Sequence, residues 1–269
     1  MLDDTAFDKA LTENADEALT LLADLTGAMD EELRARACRL AARVVVGIAR
    51  RGPSRTNAGG RRVSRPADRA EGDLDIDASL EPLLLARAAG HPPLLDELRV
   101  STWSRPQTAL CLVVDRSGSM GGERLATAAV GAAACTWRAP EDVSVIAFGT
   151  NVLVLKGQHE ARPADAVTGD IMKLRGFGVT DLALALRTAQ QQLTRSRAAR
   201  KIVVLLSDCR ATAGDDPAPI AATLDELCIL APDGDSDDAA ALARAAGARW
   251  APVAGPSSIP DALRRLLDP

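Results

Sequence analysis

The chain has 269 residues, of which 47% are hydrophobic and 26% charged, with a formal net charge of −5. This composition is typical of a soluble globular protein and excludes a disordered or fibrous one. Aromatic residues make up 2% of the chain, which argues against a stacking platform for single-stranded nucleic acid. The acidic balance likewise excludes global basicity as a route to DNA or anionic membranes.

The numbers and spacing of the histidines and cysteines restrict the kinds of site and the cellular compartment to be expected. The two histidines, His91 and His159, are too few for most His-based zinc sites. The cysteines are odd in number, widely spaced and free of C-x-x-C pairs, which favours a reducing compartment. No apolar stretch is long enough to span a bilayer, and the acidic N-terminus does not resemble a signal peptide. We therefore expect a cytoplasmic protein.

Residues 1–50 form the first of four predicted segments, a helical N-terminal extension. Its apolar residues recur at intervals of three or four, as in an amphipathic helix: Leu19, Leu22, Leu25, Leu33, Ala37, Leu40 and Val44. Residues 51–70 follow as an Arg/Gly-rich segment with almost nothing apolar, which predicts a flexible linker. Nucleic-acid binding through these arginines stays open as an alternative.

Residues 71–104 are predicted to connect the linker to the main domain. Acids alternate with apolar residues from Asp73 to Asp77, as in a calcium-binding loop. An EF-hand that begins at Asp73 would need Gly at its sixth position and Glu at its twelfth, where Ala78 and Leu84 stand. The pattern instead predicts a short edge strand, then a helix to about residue 89 with Asp77 or Ser79 as N-cap.

Residues 105–269 alternate strands and helices. The segment predicts an α/β fold, a doubly wound, mostly parallel six-stranded sheet with one antiparallel edge strand. The antiparallel strand follows from the tight turn at residues 149–151, which is too short for a crossover. The predicted strands are 110–114, 143–148, 152–155, 202–206, 228–230 and 250–253, and the predicted helices are 122–138, 164–174, 181–193, 220–227, 237–246 and 259–267.

Oxygen-bearing side chains follow the ends of the buried strands. Asp115, Ser117 and Ser119 are spaced two apart after the first central strand, so that an extended turn aims all three to one side. Thr180 follows a Gly-containing loop, and Asp208 ends a later strand. Because the carboxyl ends of parallel strands share one edge, these residues predict a site for a hard cation, Mg²⁺, Mn²⁺ or Ca²⁺.

The order D-x-S-x-S, Thr and Asp over residues 105–269 resembles the von Willebrand factor A (VWA) domain and its metal-ion-dependent adhesion site. The resemblance implies that Ser117, Ser119 and Thr180 coordinate the metal through hydroxyls. It also implies that Asp115 and Asp208 act directly or through bound water, and that an Asp or Glu of a partner protein completes the metal's shell. Two residues depart from the family pattern: Val179 stands where a second Gly is frequent, and Cys209 where Gly commonly follows the Asp.

The upstream segment, with its arginines and the stretch from Asp75 to Leu80, resembles magnesium-chelatase D subunits and CoxE-type proteins. These proteins accompany MoxR-type AAA+ ATPases. The chain has no G-x-x-x-x-G-K-[ST] motif, so nucleotide hydrolysis would be the partner's work. The resemblance therefore implies a non-enzymatic adaptor between an AAA+ ATPase and a client, in protein remodelling or metal-cofactor insertion. A metal-dependent phosphatase or esterase is the alternative from a different class.

Overall fold

A computed structural model of the chain describes residues 13–25, 37, 40–41, 44–49, 61–67, 73–104, 108–116, 122–176 and 178–268. In chain order its helices and strands are α1 (Ala15–Leu25), β1 (Arg61–Pro66), β2 (Asp73–Leu74), α2 (Ile76–Ala89), β3 (Arg99–Ser104), β4 (Thr108–Asp115), α3 (Gly122–Arg138), β5 (Val143–Phe148), β6 (Val152–Lys156), α4 (Ala164–Met172), α5 (Leu182–Thr194), β7 (Arg200–Leu206), α6 (Pro217–Ala221), β8 (Glu226–Pro232), α7 (Asp237–Ala246), β9 (Arg249–Val253) and α8 (Ile259–Leu267). Residues 44–49 are also helical. The chain divides into two compact units, residues 57–107 and the remainder.

The larger unit is built on a six-stranded sheet. The strand order is β6-β5-β4-β7-β8-β9, in which β6 is antiparallel to β5 and every other pair is parallel. The predicted α/β fold with one antiparallel edge strand is therefore confirmed. The chain leaves β4 toward β5 on one side and later returns to β7 on the other. The strand order thus reverses between β4 and β7, where such sheets bind ligands beyond their carboxyl ends.

Apolar side chains cover both faces of this sheet. One face packs against α1, α3, α4 and α8, and the other against α5, α6 and α7. Residues of β4 alternate between the two layers: Leu112 belongs to the first and Val113 to the second, and both are fully buried. Burial on both faces explains why the central strands are continuous apolar runs and not alternating ones.

The N-terminal extension packs on the α/β layer. Leu19 and Leu22 of α1 are fully buried in the same core as α3. The backbones approach so closely that a Cβ at Gly122 would lie 2.7 Å from the carbonyl oxygen of Thr20. The carboxylate of Asp16 accepts hydrogen bonds from the backbone N–H and the hydroxyl of Ser257. In the described residues, the extension is therefore part of the larger unit.

The smaller unit holds a three-stranded antiparallel sheet, ordered β1-β3-β2. The prediction of a flexible linker over residues 51–70 is wrong for 61–66, because β1 pairs with β3 over its full length, from Arg61 opposite Ser104 to Pro66 opposite Arg99. Backbone hydrogen bonds hold this strand, and they place little demand on side-chain hydrophobicity. Residues 51–60 and 68–70 lie outside the described part of the chain.

Two local boundaries also differ from the sequence predictions. Asp75, not Asp77 or Ser79, caps α2, because its carboxylate accepts a hydrogen bond from the backbone N–H of Ala78. The helix expected over 220–227 ends earlier: α6 covers Pro217–Ala221, and β8 begins at Glu226. Asp216 caps α6 and Pro217 opens it, a start signal that lies upstream of the apolar pattern.

No helix among the described residues combines the length and the apolar character that crossing a membrane requires.

Candidate metal centre

The ends of β4 and β7 are joined by a side-chain hydrogen bond. The two strands are neighbours in parallel register, with Val114 opposite Leu206. The Ser207 hydroxyl, one residue beyond β7, donates to Asp115 Oδ2 at 2.7 Å. Asp115 is 6% exposed, so this bond lies in a largely dry environment and fixes the direction of the carboxylate. The two strand ends that carry the predicted carboxylates are therefore tied together.

Cys209 turns the chain sharply after Asp208. Its φ of 65° makes it the one described non-glycine residue in the left-handed region, a conformation that favours glycine. The backbone N–H of Cys209 donates to Ser207 Oγ at 2.9 Å, and the N–H of Arg210 donates to Asp208 Oδ1 at 3.0 Å. Burial, followed by the neighbouring carboxylates, raises the pKa of the Cys209 thiol well above its ordinary value, so this thiol stays protonated.

Thr180 is tied by its backbone to the loop that follows β7. Its N–H donates to the Thr212 hydroxyl at 2.8 Å, and its carbonyl oxygen accepts from the N–H of Thr212 at 3.1 Å. Thr180 is only 3% exposed, so it is buried at this position. The preceding loop needs Gly178, whose φ is 89° and where a Cβ would lie 2.5 Å from the Thr150 hydroxyl. Asp181 then caps α5 through the N–H of Leu184.

Three of the five predicted ligand residues are therefore described, and all three lie at the carboxyl edge of the sheet. Asp115 ends β4, Asp208 lies two residues beyond β7, and Thr180 is bonded to the loop after β7. Ser117 and Ser119 lie outside the described residues. Val179, which stands where a second Gly is frequent, is 42% exposed.

An arginine lies beside the Asp208 carboxylate. Arg124 Nη1, in the first turn of α3, is 3.7 Å from Asp208 Oδ2. Both residues line a cavity of about 280 Å³ at this edge, together with Asp115, Ser207, Asp233 and Asp235. Arg124 therefore neutralises part of the negative charge of a cavity whose other charged walls are mainly acidic.

The donor chemistry of the described residues fits a hard divalent cation. Carboxylate and hydroxyl oxygens suit Mg²⁺, Mn²⁺ or Ca²⁺, whereas zinc prefers His and Cys. The described residues contain no group of three or more His, Cys, Asp or Glu side chains arranged to hold a metal. A site formed by Asp115, Asp208 and hydroxyl groups is of another kind, because it has two carboxylates and its other ligands are neutral.

His159 does not belong to this site. It lies at the opposite edge of the sheet, with Nε2 3.0 Å from the carbonyl oxygen of Arg195. It is therefore not placed to serve as a general base at the carboxyl edge. The other histidine, His91, belongs to the smaller unit.

Sequence reasoning missed three residues of the site: Ser207, Thr212 and Arg124. Ser207 stands immediately before Asp208, and its position at a strand end could have marked it. Thr212 and Arg124 carry no comparable signal, because a helix and a loop distant in sequence bring them to the edge.

Comparison with known proteins gives the family of the chain. The sequence profile described as "VWA domain containing CoxE-like protein" matches residues 48–231. The chain therefore belongs to the family of CoxE-like proteins that contain a VWA domain. VWA domains are in general protein-interaction modules. A comparison with curated protein sequences found no match.

Similar solved structures include a von Willebrand factor type A protein from Catenulispora acidiphila (15% identity, TM-score 0.47, covering 61% of this chain and 43% of that one). Manganese-loaded TRAP protein from Plasmodium vivax is 16% identical, with a TM-score of 0.46 and coverage of 60% and 74%. Proximal thread matrix protein 1 of the mussel byssus is 16% identical, with a TM-score of 0.49 and coverage of 60% and 47%. The matched part thus spans less than half of the first and third of these proteins.

Proposed function

We propose that this chain is a metal-dependent protein-interaction adaptor. Its carboxyl edge would bind Mg²⁺, or Mn²⁺ or Ca²⁺, through Asp115, Ser117, Ser119, Thr180 and Asp208. The observation that carries the proposal is the Ser207–Asp115 hydrogen bond, which joins the ends of β4 and β7 and holds one carboxylate beside the loop that bears the other.

The balance of charged and neutral ligands explains how such a site would bind a protein. Three hydroxyls and two carboxylates supply five oxygen ligands, which leaves one open position on an octahedral divalent cation. An Asp or Glu side chain of a partner fills that position and completes an octahedral shell. Ser207 acts on Asp115 and not on the metal: its hydroxyl fixes the carboxylate direction before the cation arrives.

The proposed partner is a MoxR-type AAA+ ATPase, its client protein, or both. Membership of the CoxE-like family supports this choice, and the chain contains no phosphate-binding G-x-x-x-x-G-K-[ST] loop of its own. The ATPase would supply the energy of hydrolysis, and this chain would select the client. Four cysteines in the described residues, Cys111, Cys135, Cys209 and Cys228, are free and buried, which suits a reducing compartment. We therefore propose the cytosol as its location.

Metal-dependent thermal stabilisation tests the metal site directly. Saturating Mg²⁺ or Mn²⁺ is expected to stabilise the wild-type fold by about 1–3 kcal/mol through binding linkage. Asp208→Asn removes the negative charge and one carboxylate oxygen, and Thr180→Val removes the hydroxyl, each with little change in shape. Both substitutions are expected to abolish this shift. Asp233→Asn, an equal charge change on the cavity wall, is the matched control and should keep it. An unchanged shift in the Asp208→Asn, Thr180→Val double variant would refute the metal site.

Pull-down from the native cell tests the partner separately. A MoxR-like ATPase should be recovered in Mg²⁺, less of it in EDTA, and little with Asp208→Asn. Recovery that is equal with and without metal would overturn the carboxylate-to-metal contact. Failure to recover the ATPase with a protein that binds metal normally would overturn the partner and leave the metal site standing.

A further inference from the structure

Helix α2 in the smaller unit exposes its large apolar side chains and buries small ones. Ile76, Leu80 and Leu84 are 64%, 50% and 57% exposed, while Ser79 and Ala86 are buried. The three large residues are spaced by four, so they form one row along the helix surface. An ordinary surface helix turns such a row toward its core.

Polar contacts fix which side of α2 faces its sheet. The Ser79 hydroxyl accepts a hydrogen bond from the backbone N–H of Arg99 at 2.9 Å and lies 3.3 Å from the Arg99 carbonyl oxygen, to which it donates. Asp75, the N-cap, also accepts a hydrogen bond from the Ser101 hydroxyl at 3.0 Å. Rotating the helix to bury the row of Ile76, Leu80 and Leu84 would break these contacts with β3. The fold of this unit therefore keeps the row exposed.

The charged residues beside the row indicate which charges the surface of a binding partner would carry. At about 100° per residue, Asp77 and Glu81 follow the row along one flank, and both are exposed. Arg87 lies beyond Leu84, at the C-terminal end of the row. A matching surface therefore has an apolar stripe with basic residues along one flank and an acidic residue at one end, which would also set the direction of binding.

This charge pattern disfavours two other occupants. Two copies of α2 packed antiparallel about a twofold axis would bring the Asp77 and Glu81 flank of one copy beside the same flank of the other, where the four carboxylates repel. An anionic membrane surface repels the same flank. A basic amphipathic helix meets both the apolar row and the acidic flank.

We propose that the α2 face, defined as Ile76, Leu80 and Leu84 with the flanking Asp77 and Glu81, is a docking surface for a basic amphipathic helix of a partner protein. The surface uses no residue of the metal centre. We therefore expect its occupation not to require divalent metal, and the proposal does not rest on the function proposed above.

The test measures binding of two synthetic helical peptides to the full chain by fluorescence anisotropy. The peptides share a leucine stripe and differ in carrying Lys or Glu on its flank. The Lys peptide is expected to bind equally well with Mg²⁺ and with EDTA. Leu80→Gln with Leu84→Gln should weaken it by about tenfold or more, since central apolar contacts dominate such interfaces. Leu85→Gln is the matched control, because Leu85 is 64% exposed. It lies about 140° around the helix from Leu80, beyond the acidic flank and outside the apolar row.

Charge reversal separates a specific surface from general attraction to an acidic protein. Asp77→Lys with Glu81→Lys should transfer the preference from the Lys peptide to the Glu peptide. Equal loss of binding in the Leu85→Gln control, or no loss in the Leu80→Gln, Leu84→Gln variant, would overturn the proposal.

A dimer in sedimentation that the Leu80→Gln, Leu84→Gln variant dissociates would overturn the proposal in favour of a second copy of this chain. Variant-sensitive binding to phosphatidylcholine–phosphatidylserine vesicles would overturn it in favour of a membrane. All substitutions are at exposed positions, and an unchanged melting temperature verifies folding.

Discussion

The six-stranded sheet has an amino edge, where its parallel strands begin, and a carboxyl edge, where they end. The two hold similar residue types in different arrangements. At the amino edge, Glu226 receives two hydrogen bonds from Arg200, at 2.6 and 2.7 Å, and one from Arg249 at 2.6 Å. At the carboxyl edge, the closest approach between Arg124 and Asp208 is 3.7 Å. A carboxylate that is fully hydrogen-bonded contributes to stability, whereas one with a distant counter-charge keeps the capacity to bind a cation. We therefore infer that the amino edge stabilises the fold, whereas the carboxyl edge is the proposed place of cation binding.

The amino-edge network links three neighbouring elements. Arg200 begins β7, Glu226 begins β8 and Arg249 begins β9, while Arg200 Nη1 also donates to the carbonyl oxygen of Leu267 at the end of α8. The planar guanidinium of Arg200 binds Glu226 through two parallel bonds, the strongest geometry available to this pair. This network therefore fastens the last helix to the sheet.

The largest expected effect comes from removing the centre of that network. Glu226→Ala leaves two partly buried guanidinium groups without their carboxylate and is expected to lower the free energy of unfolding by about 1–3 kcal/mol. Denaturant unfolding measures the loss. Asp261→Ala, in the exposed pair with Arg264, is the control and should change little. The metal-induced shift should persist in Glu226→Ala, and its disappearance would contradict the division of roles between the edges.

The same network predicts a pH dependence. Hydrogen bonding from Arg200 lowers the pKa of Glu226 below its ordinary value of 4.5. A carboxyl group with a lowered folded-state pKa contributes stability above its unfolded pKa, and that contribution is lost as pH falls through the folded value. Between about pH 5 and pH 3, wild type should therefore lose more stability than Glu226→Gln. Parallel losses in the two proteins would show that Glu226 does not contribute.

A smaller effect is expected at the carboxyl edge from Arg124. Arg124→Gln removes a positive charge 3.7 Å from Asp208 and should tighten divalent-cation binding by a few-fold, about 0.5–1 kcal/mol for a partly exposed pair. Isothermal titration with Mn²⁺ measures the affinity. Arg264→Gln makes the same charge change on α8 and should leave the affinity as it is. Weaker binding in Arg124→Gln would mean that this arginine supports the site and does not compete with the metal.

The smallest effect is expected from the exposed ion pairs of the carboxyl edge. Arg210 pairs with Asp235 and Asp238, but its side chain is 59% exposed. Arg210→Ala is therefore expected to change the free energy of unfolding by less than about 0.5 kcal/mol. Denaturant unfolding in parallel with Glu226→Ala makes the comparison between edges direct. A loss as large as that of Glu226→Ala would show that exposure does not distinguish the two networks.

Much of the larger unit could be predicted because its elements have strong local signals. The apolar run from Leu110 to Val114 must be buried on both faces, and the three-residue turn at 149–151 permits nothing but an antiparallel return. The D-x-S-x-S spacing after β4 marked Asp115, Ser117 and Ser119 as candidate ligands, a set that stays a prediction. In each case the information lies within a few consecutive residues.

Where the outcome depended on partners distant in sequence, tertiary structure decided it. The arginine-rich residues 61–66 form a strand because β3 offers them backbone hydrogen bonds, which no side-chain pattern announces. Arg124 reaches Asp208 because the fold brings the first turn of α3 close to the loop that follows β7. The leucine row of α2 faces outward because Ser79 bonds to Arg99, although hydrophobicity alone would bury it. The sequence by itself determined most regular elements of the larger unit and the residue types that stand at its strand ends, since local patterns encode both. Tertiary structure decided which surfaces those elements leave exposed, because strand pairing and side-chain burial depend on contacts between residues that are far apart in the sequence.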